Sequence, residues 1–382
     1  MSPLELDLNN KKNRSYRVIN SLLSRCDVTI NGGRPGDIIV NDTRLFKKVV
    51  KEGSIGLGES YMEGWWDADN LDVFFYKILS ENIDEEIPDN IHDVLYCILS
   101  KVMNLQSISR SKNVAKVHYN LGNDLFESML DSWMQYSCAY WKDAYSLEQA
   151  QFNKLELIGE KLMLKPGMKV LDVGCGWGGL ASFLANKYDV SVTGITISEE
   201  QKKIAEERCQ DLDVQIKLVD YRNYHGTFDR IVSVGMFEHV GLKNYDIYFK
   251  KMHELLTEKG IFLLHCIGSN KSGAGVDPWI NRYIFPNGRL PSIKEIVACT
   301  ENRFIMEDWH NFGADYDLTL MEWDKKFLSA WPQNKKDYDK KFLRMFHYYL
   351  CSCAGAFRAR QIQLWQVLFS KNGVKGGLRV PR

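Results

Sequence analysis

The chain has 382 residues, with 49 Lys+Arg against 49 Asp+Glu and a formal net charge of +0. That balance excludes a global field for nucleic acid or for an anionic surface, so any such attraction has to come from a local patch. Hydrophobic residues at 45% and charged residues at 26% are an ordinary globular mixture, and the length suits about two domains.

The first residues, to about 13, are polar and carry no apolar signal core, and no run of about 18 apolar residues occurs anywhere. The expectation is a cytoplasmic protein with reduced thiols. Its 9 cysteines are scattered without a C-x-x-C pair, and Cys351 and Cys353 lie in an apolar helical run that reads as core rather than as metal ligands. Residues 16–23 have helical spacing. Residues 28–30 and 37–40 read as short strands about the turn Asn31-Gly32-Gly33. Residues 44–52 make an amphipathic helix with Lys47, Lys48 and Lys51, and residues 53–75, with four glycines and Trp65-Trp66, read as a turn-rich module. The acidic, proline-bearing stretch 80–90 marks a boundary. The division is an N-terminal domain over 1–85, a linker over 86–115 and a second domain over 116–382.

The second domain alternates strand and helix patterns, which predicts a parallel sheet covered on both faces, an α/β class. Strands are expected at 169–173, 190–195, 215–219, 230–234, 261–267, 304–309 and 364–370. Helices are expected at 199–209, at 245–258 with Gly260 ending it, and at 342–356. The stretch V-L-D-V-G-C-G-W-G-G-L, residues 170–180, organises the domain. A strand buried on both faces turns into a helix through four glycines, where backbone can approach a ligand closely. Its G-x-G-x-G-G also satisfies the dinucleotide fingerprint, so the spacing alone does not name the nucleotide. Asp172 inside the strand and the extra Gly178 resemble the nucleotide loop of class I S-adenosylmethionine-dependent methyltransferases, with a Rossmann-like seven-stranded sheet. After the second strand the usual ribose-binding acid is missing and Thr196 stands near there, which disfavours a nicotinamide cofactor. On residue chemistry alone, Ser198 and Gln201 form a capping box and Asp220 with Tyr221 a loop cap.

Read together with the glycine loop, G-I-T-I-S-E-E-Q, V-G-M-F-E-H-V and M-Q-Y-S-C-A-Y-W resemble the cyclopropane-fatty-acyl-phospholipid synthases and the related mycolic acid cyclopropane synthases. The string E-S-Y-M-E-G-W-W-D resembles a module of the former. The resemblance implies a cofactor site for S-adenosylmethionine. Gly174, Gly176 and Asp172 would serve its methionine part, with Tyr136 and Ser137 closing over it. Thr196 and Gln201 would lie at the ribose, and Asp220 and Tyr221 at the adenine. It further implies that Cys138, Glu238, His265, Ile267 and Tyr316 bind bicarbonate as the base of the reaction.

The implied substrate is an unsaturated phospholipid acyl chain, and a sister product, methyl-branched or hydroxylated, is the alternative. Trp141, Trp279, Tyr283, Phe285 and Tyr316 are expected as aromatic walls, and the insert 276–291 as the lip of an acyl channel. Expected partners are the phospholipid bilayer, met transiently through residues 1–85 and their lysines, and a second copy of the chain in a homodimer. No nucleic acid is expected, and the place of action is the inner face of the membrane.

Overall fold

A computed structural model describes residues 14–81, 123–273, 275–334 and 338–382. The expected linker and the polar tail lie outside the described residues. Contacts divide the chain into two compact units, each made of three sequence segments. Unit 1 is Met1–Met103, Val276–Pro286 and Leu320–Gln361, and unit 2 is Asn104–Gly275, Asn287–Thr319 and Ile362–Arg382. The contiguous division read from the sequence therefore differs from the observed one, because residues far along the chain complete unit 1.

Unit 1 is helical. Its first strands, β1 (Ile39–Val40) and β2 (Trp66–Asp67), make one short antiparallel pair. Residues 28–30 contribute a single bridge, Ile30 to Ile38, rather than a strand. The expected turn-rich module is mostly helix, since Arg44–Met62 is two helical segments that meet at Gly53 (φ 56, ψ −132). Glycine takes that positive φ at little cost, which lets the chain turn sharply there and resume a helix at once. Lys340–Arg358 packs on the helix Leu71–Ser80, and Tyr348 gathers Phe75 and Trp279 at ring separations of 4.9 and 4.4 Å.

In unit 2, β3 (Lys169–Val173), β4 (Ser191–Thr196), β5 (Val214–Leu218), β6 (Phe228–Val234), β7 (Leu256–Ser269), β8 (Ile305–Asn311) and β9 (Ile362–Ser370) form one sheet. Its order is β5-β4-β3-β6-β7-β9-β8. The first five in that order are parallel, and β9 is antiparallel to both neighbours. All seven expected strands are present. The helix expected to run to 258 stops at Leu255, and β7 begins at once with Leu256 in extended geometry. Gly260 is no helix cap. It lies in an irregularity of β7, where Phe228 pairs with Leu256 but Arg230 with Ile261.

Alternation across β3 shows how the site is placed. Leu171 and Val173 face one cluster, with Ile231, Leu264 and the helix Tyr245–Leu255. Val170 faces the other, with the helices Leu147–Lys161 and Gly179–Tyr188. Each fully buried aliphatic chain contributes about 1.5–3 kcal/mol. Asp172 shares the face of Val170, so it points a carboxyl toward the side covered by Leu147–Lys161. Strand order reverses between β3 and β6, and ligands of such sheets bind beyond the carboxyl ends at that switch.

Candidate active site

Four loops leave the carboxyl ends of β3, β4, β5 and β6. After β3, Gly174 has φ 85, Gly176 φ 53 and Gly178 φ 78. The Gly174 and Cys175 amides donate to the Ile195 carbonyl at 2.9 and 3.0 Å, which ties the loop to β4. A Cβ on Gly174 would meet the Met236 side chain at 2.8 Å, and one on Gly178 would meet Ala205 at 2.9 Å. Gly176 has no protein atom within 4 Å of that position. At Gly176 the left-handed φ is what asks for glycine, whereas its neighbours also serve packing.

After β4, Thr196 and Gln201 meet: the Thr196 hydroxyl donates to Gln201 Oε1 at 3.0 Å. Ser198 does cap its helix, accepting from the Gln201 amide at 3.3 Å. The Gln201 side chain turns to Thr196, however, so the expected reciprocal capping box is only half made. After β5, Asp220 accepts from the Arg222 amide at 3.0 Å and holds its guanidinium at 2.8 and 2.6 Å. The Tyr221 hydroxyl is buried without a hydrogen-bond partner among the described residues, and its ring meets Tyr248 edge-on at 5.3 Å.

A buried lysine joins the stretch 131–138 to β3. Lys154 donates to Gln135 Oε1 and to the Ser137 hydroxyl, both at 2.8 Å, while Tyr136 packs edge-on against Phe126. Burial lowers the Lys154 ammonium to about 8, opposed by the charges of Asp131, Cys138 and Asp172. Burial likewise raises Asp172 to about 7 against the pull of Lys154, and its Oδ2 has no partner among the described residues. Nothing in the motif reading pointed to Lys154. The available signal was its position four residues from both Ala150 and Ile158, on the buried stripe of its helix.

Glu238 and His265 stand at the carboxyl ends of neighbouring strands. Glu238 follows β6 in a short turn, Phe237–His239, and its Oε1 accepts from the Ile267 amide at 2.7 Å. Burial raises its carboxyl to about 7. His265 lies in β7 opposite Val234, and its Nδ1 meets the Gln366 amide nitrogen at 3.3 Å. Burial, with Lys154 nearby, holds the imidazole neutral. Glu238 Oε2 and His265 Nε2 are both buried and lack hydrogen-bond partners among the described residues.

Cys138 is fully buried, donates to the Ala139 carbonyl at 3.2 Å, and is pushed up by burial. The Ala139 amide and the Trp141 indole both donate to Thr319 Oγ1, at 3.1 and 2.9 Å, and the Trp141 amide donates to Asp315. Those bonds fasten the cysteine's segment to the helix turn that carries Tyr316.

Ile267 gives its amide to Glu238, so its backbone orients that carboxylate directly. Trp279, Tyr283 and Phe285 belong to unit 1: Trp279 is fully buried on Tyr348, Tyr283 donates to Glu59 at 2.9 Å, and Phe285 meets Tyr349. Of the five expected aromatic walls, Trp279 is core packing, and Tyr283 and Phe285 are half-buried.

Fold and loops together define a class I S-adenosylmethionine-dependent methyltransferase. A family model described as mycolic acid cyclopropane synthetase matches residues 106–367, and the chain belongs to that family. It is 60% identical to the cyclopropane-fatty-acyl-phospholipid synthase of Escherichia coli K12, over 96% of each chain. It is also similar to cyclopropane mycolic acid synthase 1 of Mycobacterium tuberculosis H37Rv, at 33% identity over 67% of this chain and 96% of that one. Among solved structures, mycolic acid cyclopropane synthase CmaA1 complexed with SAH and CTAB superposes with a TM-score of 0.64. That match has 33% identity and covers 68% of this chain and 98% of the other.

Proposed function

We propose that the enzyme adds a methylene from S-adenosylmethionine across the cis double bond of an unsaturated phospholipid acyl chain, with bicarbonate accepting the proton. The observation that carries this reading is the pair of buried, unpartnered atoms Glu238 Oε2 and His265 Nε2. Burying polar atoms without partners is costly, so two at the ends of neighbouring strands point to a small polar ligand. When bound, S-adenosylmethionine supplies an electrophilic sulfonium methyl and bicarbonate a compact anionic base.

The chain's own residues bind, orient and keep water out. With the Gln366 amide nitrogen donating to Nδ1, the ring proton of His265 sits on Nε2 and faces outward as a donor. Glu238, fixed by the Ile267 amide, presents Oε2 as an acceptor. One donor and one acceptor match an oxyanion that carries a single hydroxyl. Tyr316 adds a phenol from the neighbouring helix. Gly176 leaves room for the cofactor, and Thr196 with Gln201 offers its hydroxyl and amide to the ribose.

In the reaction, the alkene π pair forms a bond to the methyl carbon while the carbon–sulfur pair stays with sulfur. The acyl chain then holds a carbocation, and loss of a methyl proton frees the pair that closes the ring. Phe312, packed on His265 and Tyr140 at 5.8 and 5.3 Å, helps exclude the water that would otherwise trap the cation as an alcohol.

The acyl chain is met by transient docking on a bilayer; no helix among the described residues is long and apolar enough to cross a membrane. Product mass tests the reaction. Ring closure adds CH2 to the acyl chain, whereas a hydroxylated product gains a further water. Turnover should fall in bicarbonate-free buffer at fixed pH and return with added bicarbonate. An undiminished rate there would remove the anion from the mechanism and leave the methyl transfer standing.

A further inference from the structure

Within unit 2, residues 371–382 leave β9 without forming a helix or strand. β9 ends at Ser370, level with the amino ends of β7 and β8, so the segment starts at the end of the sheet remote from the site. The Val374 amide donates to Glu307 at 3.0 Å, and Val374, Leu378 and Val380 pack on the cluster shared with the helices Leu147–Lys161 and Gly179–Tyr188. Arg382 then meets β8, where both terminal nitrogens of its guanidinium donate to Asp308. Its main-chain oxygen accepts from Lys142 Nζ at 2.8 Å. One residue therefore joins the edge strand to the segment that carries Cys138, Tyr140 and Trp141.

The rings between those two anchors belong to the wall of the site. Gln366 of β9 pairs with His265 on one side and with His310 on the other, so the three side chains share one face of the sheet at one level. Lys161 Nζ, fully buried, lies 3.0 Å from His310 Nδ1, and burial together with that charge lowers the imidazole to about 4. The neutral ring meets Tyr140 edge-on at 5.7 Å and Phe312 at 4.9 Å, and Phe312 is the ring packed on His265.

We propose that residues 374–382 are a strap that holds Tyr140, His310 and Phe312 closed beside His265, with Arg382 as its positioning residue. The strap rests on the reaction proposed above, in which these rings keep water from the carbocation. Fixing a chain segment without regular structure costs about 1–2 kcal/mol per residue, so the segment needs anchors at both ends. Glu307 supplies one. The other is a two-pronged guanidinium–carboxylate pair, which fixes direction as well as distance. Asp308 also lies 3.6 Å from Lys161, so one carboxylate serves both the ammonium that holds His310 and the guanidinium that holds the strap. Asp315 and Thr319 hold the backbone of residues 139–141, and Arg382 ties the next residue, Lys142, to β8.

The test measures products by mass from full-length enzyme acting on vesicles of an unsaturated phospholipid. Arg382→Gln should raise the hydroxylated share of product roughly tenfold and lower kcat several-fold, while the calorimetric Kd for S-adenosylmethionine stays within about twofold. Arg382→Lys keeps the charge and one donor, and should restore most of the ring product. Lys142→Met, at an exposed position, breaks the other end of the bridge and should give the same shift; combined with Arg382→Gln it should add nothing, because both break one link. A folded Arg382→Gln with the wild-type product share would overturn the strap, as would additive effects or a shift that tracks loss of S-adenosylmethionine affinity. Where Arg382→Gln folds poorly, Lys142→Met decides, and a wild-type product share there overturns the strap equally. A wild type that made no cyclopropane would defeat the proposed reaction and the strap with it, an outcome distinct from an unchanged product share.

Discussion

Glu238 combines a structural cost with the chemical role proposed for it. Its carboxyl is raised to about 7 by burial, while an unfolded glutamate titrates near 4.3. Between those values the native state keeps a proton that the unfolded chain has released, so native stability falls as pH rises through that window and is lowest above it. Glu238→Gln keeps the acceptor for the Ile267 amide and cannot ionise. It should therefore equal wild type near pH 4 and exceed it by on the order of 3–4 kcal/mol above pH 8. Denaturant melts of both proteins across pH 4–8 check this, and a constant difference would refute it. The variant should bind S-adenosylmethionine normally and lose most turnover. Lys154→Met separates binding from chemistry in the opposite direction. With Ser137 and Gln135 released and Asp172 deprived of its cation, KM for S-adenosylmethionine should rise at least tenfold while kcat changes less, as steady-state kinetics would show.

Elements were legible where a pattern repeats, and obscure where packing overrides it. Residues 170–180 declared a buried strand, a glycine turn and a helix, and the structure has each of them. The module around Gly53 was misread because glycines normally interrupt helices, yet here two of them admit close neighbours. A Cβ on Gly58 would lie 2.4 Å from the buried Trp279 ring, and one on Gly56 would lie 2.5 Å from the Lys48 carbonyl. Trp279 lies more than two hundred residues further along the chain, so no window of sequence reveals it as the partner of Gly58. Gly58→Ala should cost about 1–3 kcal/mol in a melting experiment, since the indole has nowhere to retreat. In the site, strand ends and loop motifs announced Glu238, His265 and Thr196. Lys154 was hidden, because a lysine in a helix ordinarily signals a solvated face.

On the scale of the whole molecule, the proposed docking on a bilayer has fewer basic residues to draw on than the sequence suggested. Lys48 is bound to Glu59 at 2.8 Å and Glu52 at 3.2 Å, which leaves Lys47 and Lys51 as the exposed lysines of that helix. At roughly 1 kcal/mol per basic residue near an anionic surface, two residues give a weak, reversible attraction. Activity on anionic vesicles should thus decline only a few-fold between low and physiological salt, measured as turnover on vesicles of fixed composition. A steep decline would mean that other cations dock.

Phe75 is packed against Gly355, whose Cβ would come within 2.6 Å of it, and 280 residues separate the two. At roughly 5–20 residues per second, a ribosome needs on the order of 14–56 s to make that stretch. The amino-terminal helices therefore emerge with Phe74, Phe75 and Trp66 lacking the surface that later covers them. A nascent chain in that condition is a client for holding chaperones, and its early segment is open to aggregation before the enzyme exists. The fragment 1–103 made alone should stay unfolded by circular dichroism, and adding a peptide of 340–361 should restore helix to it.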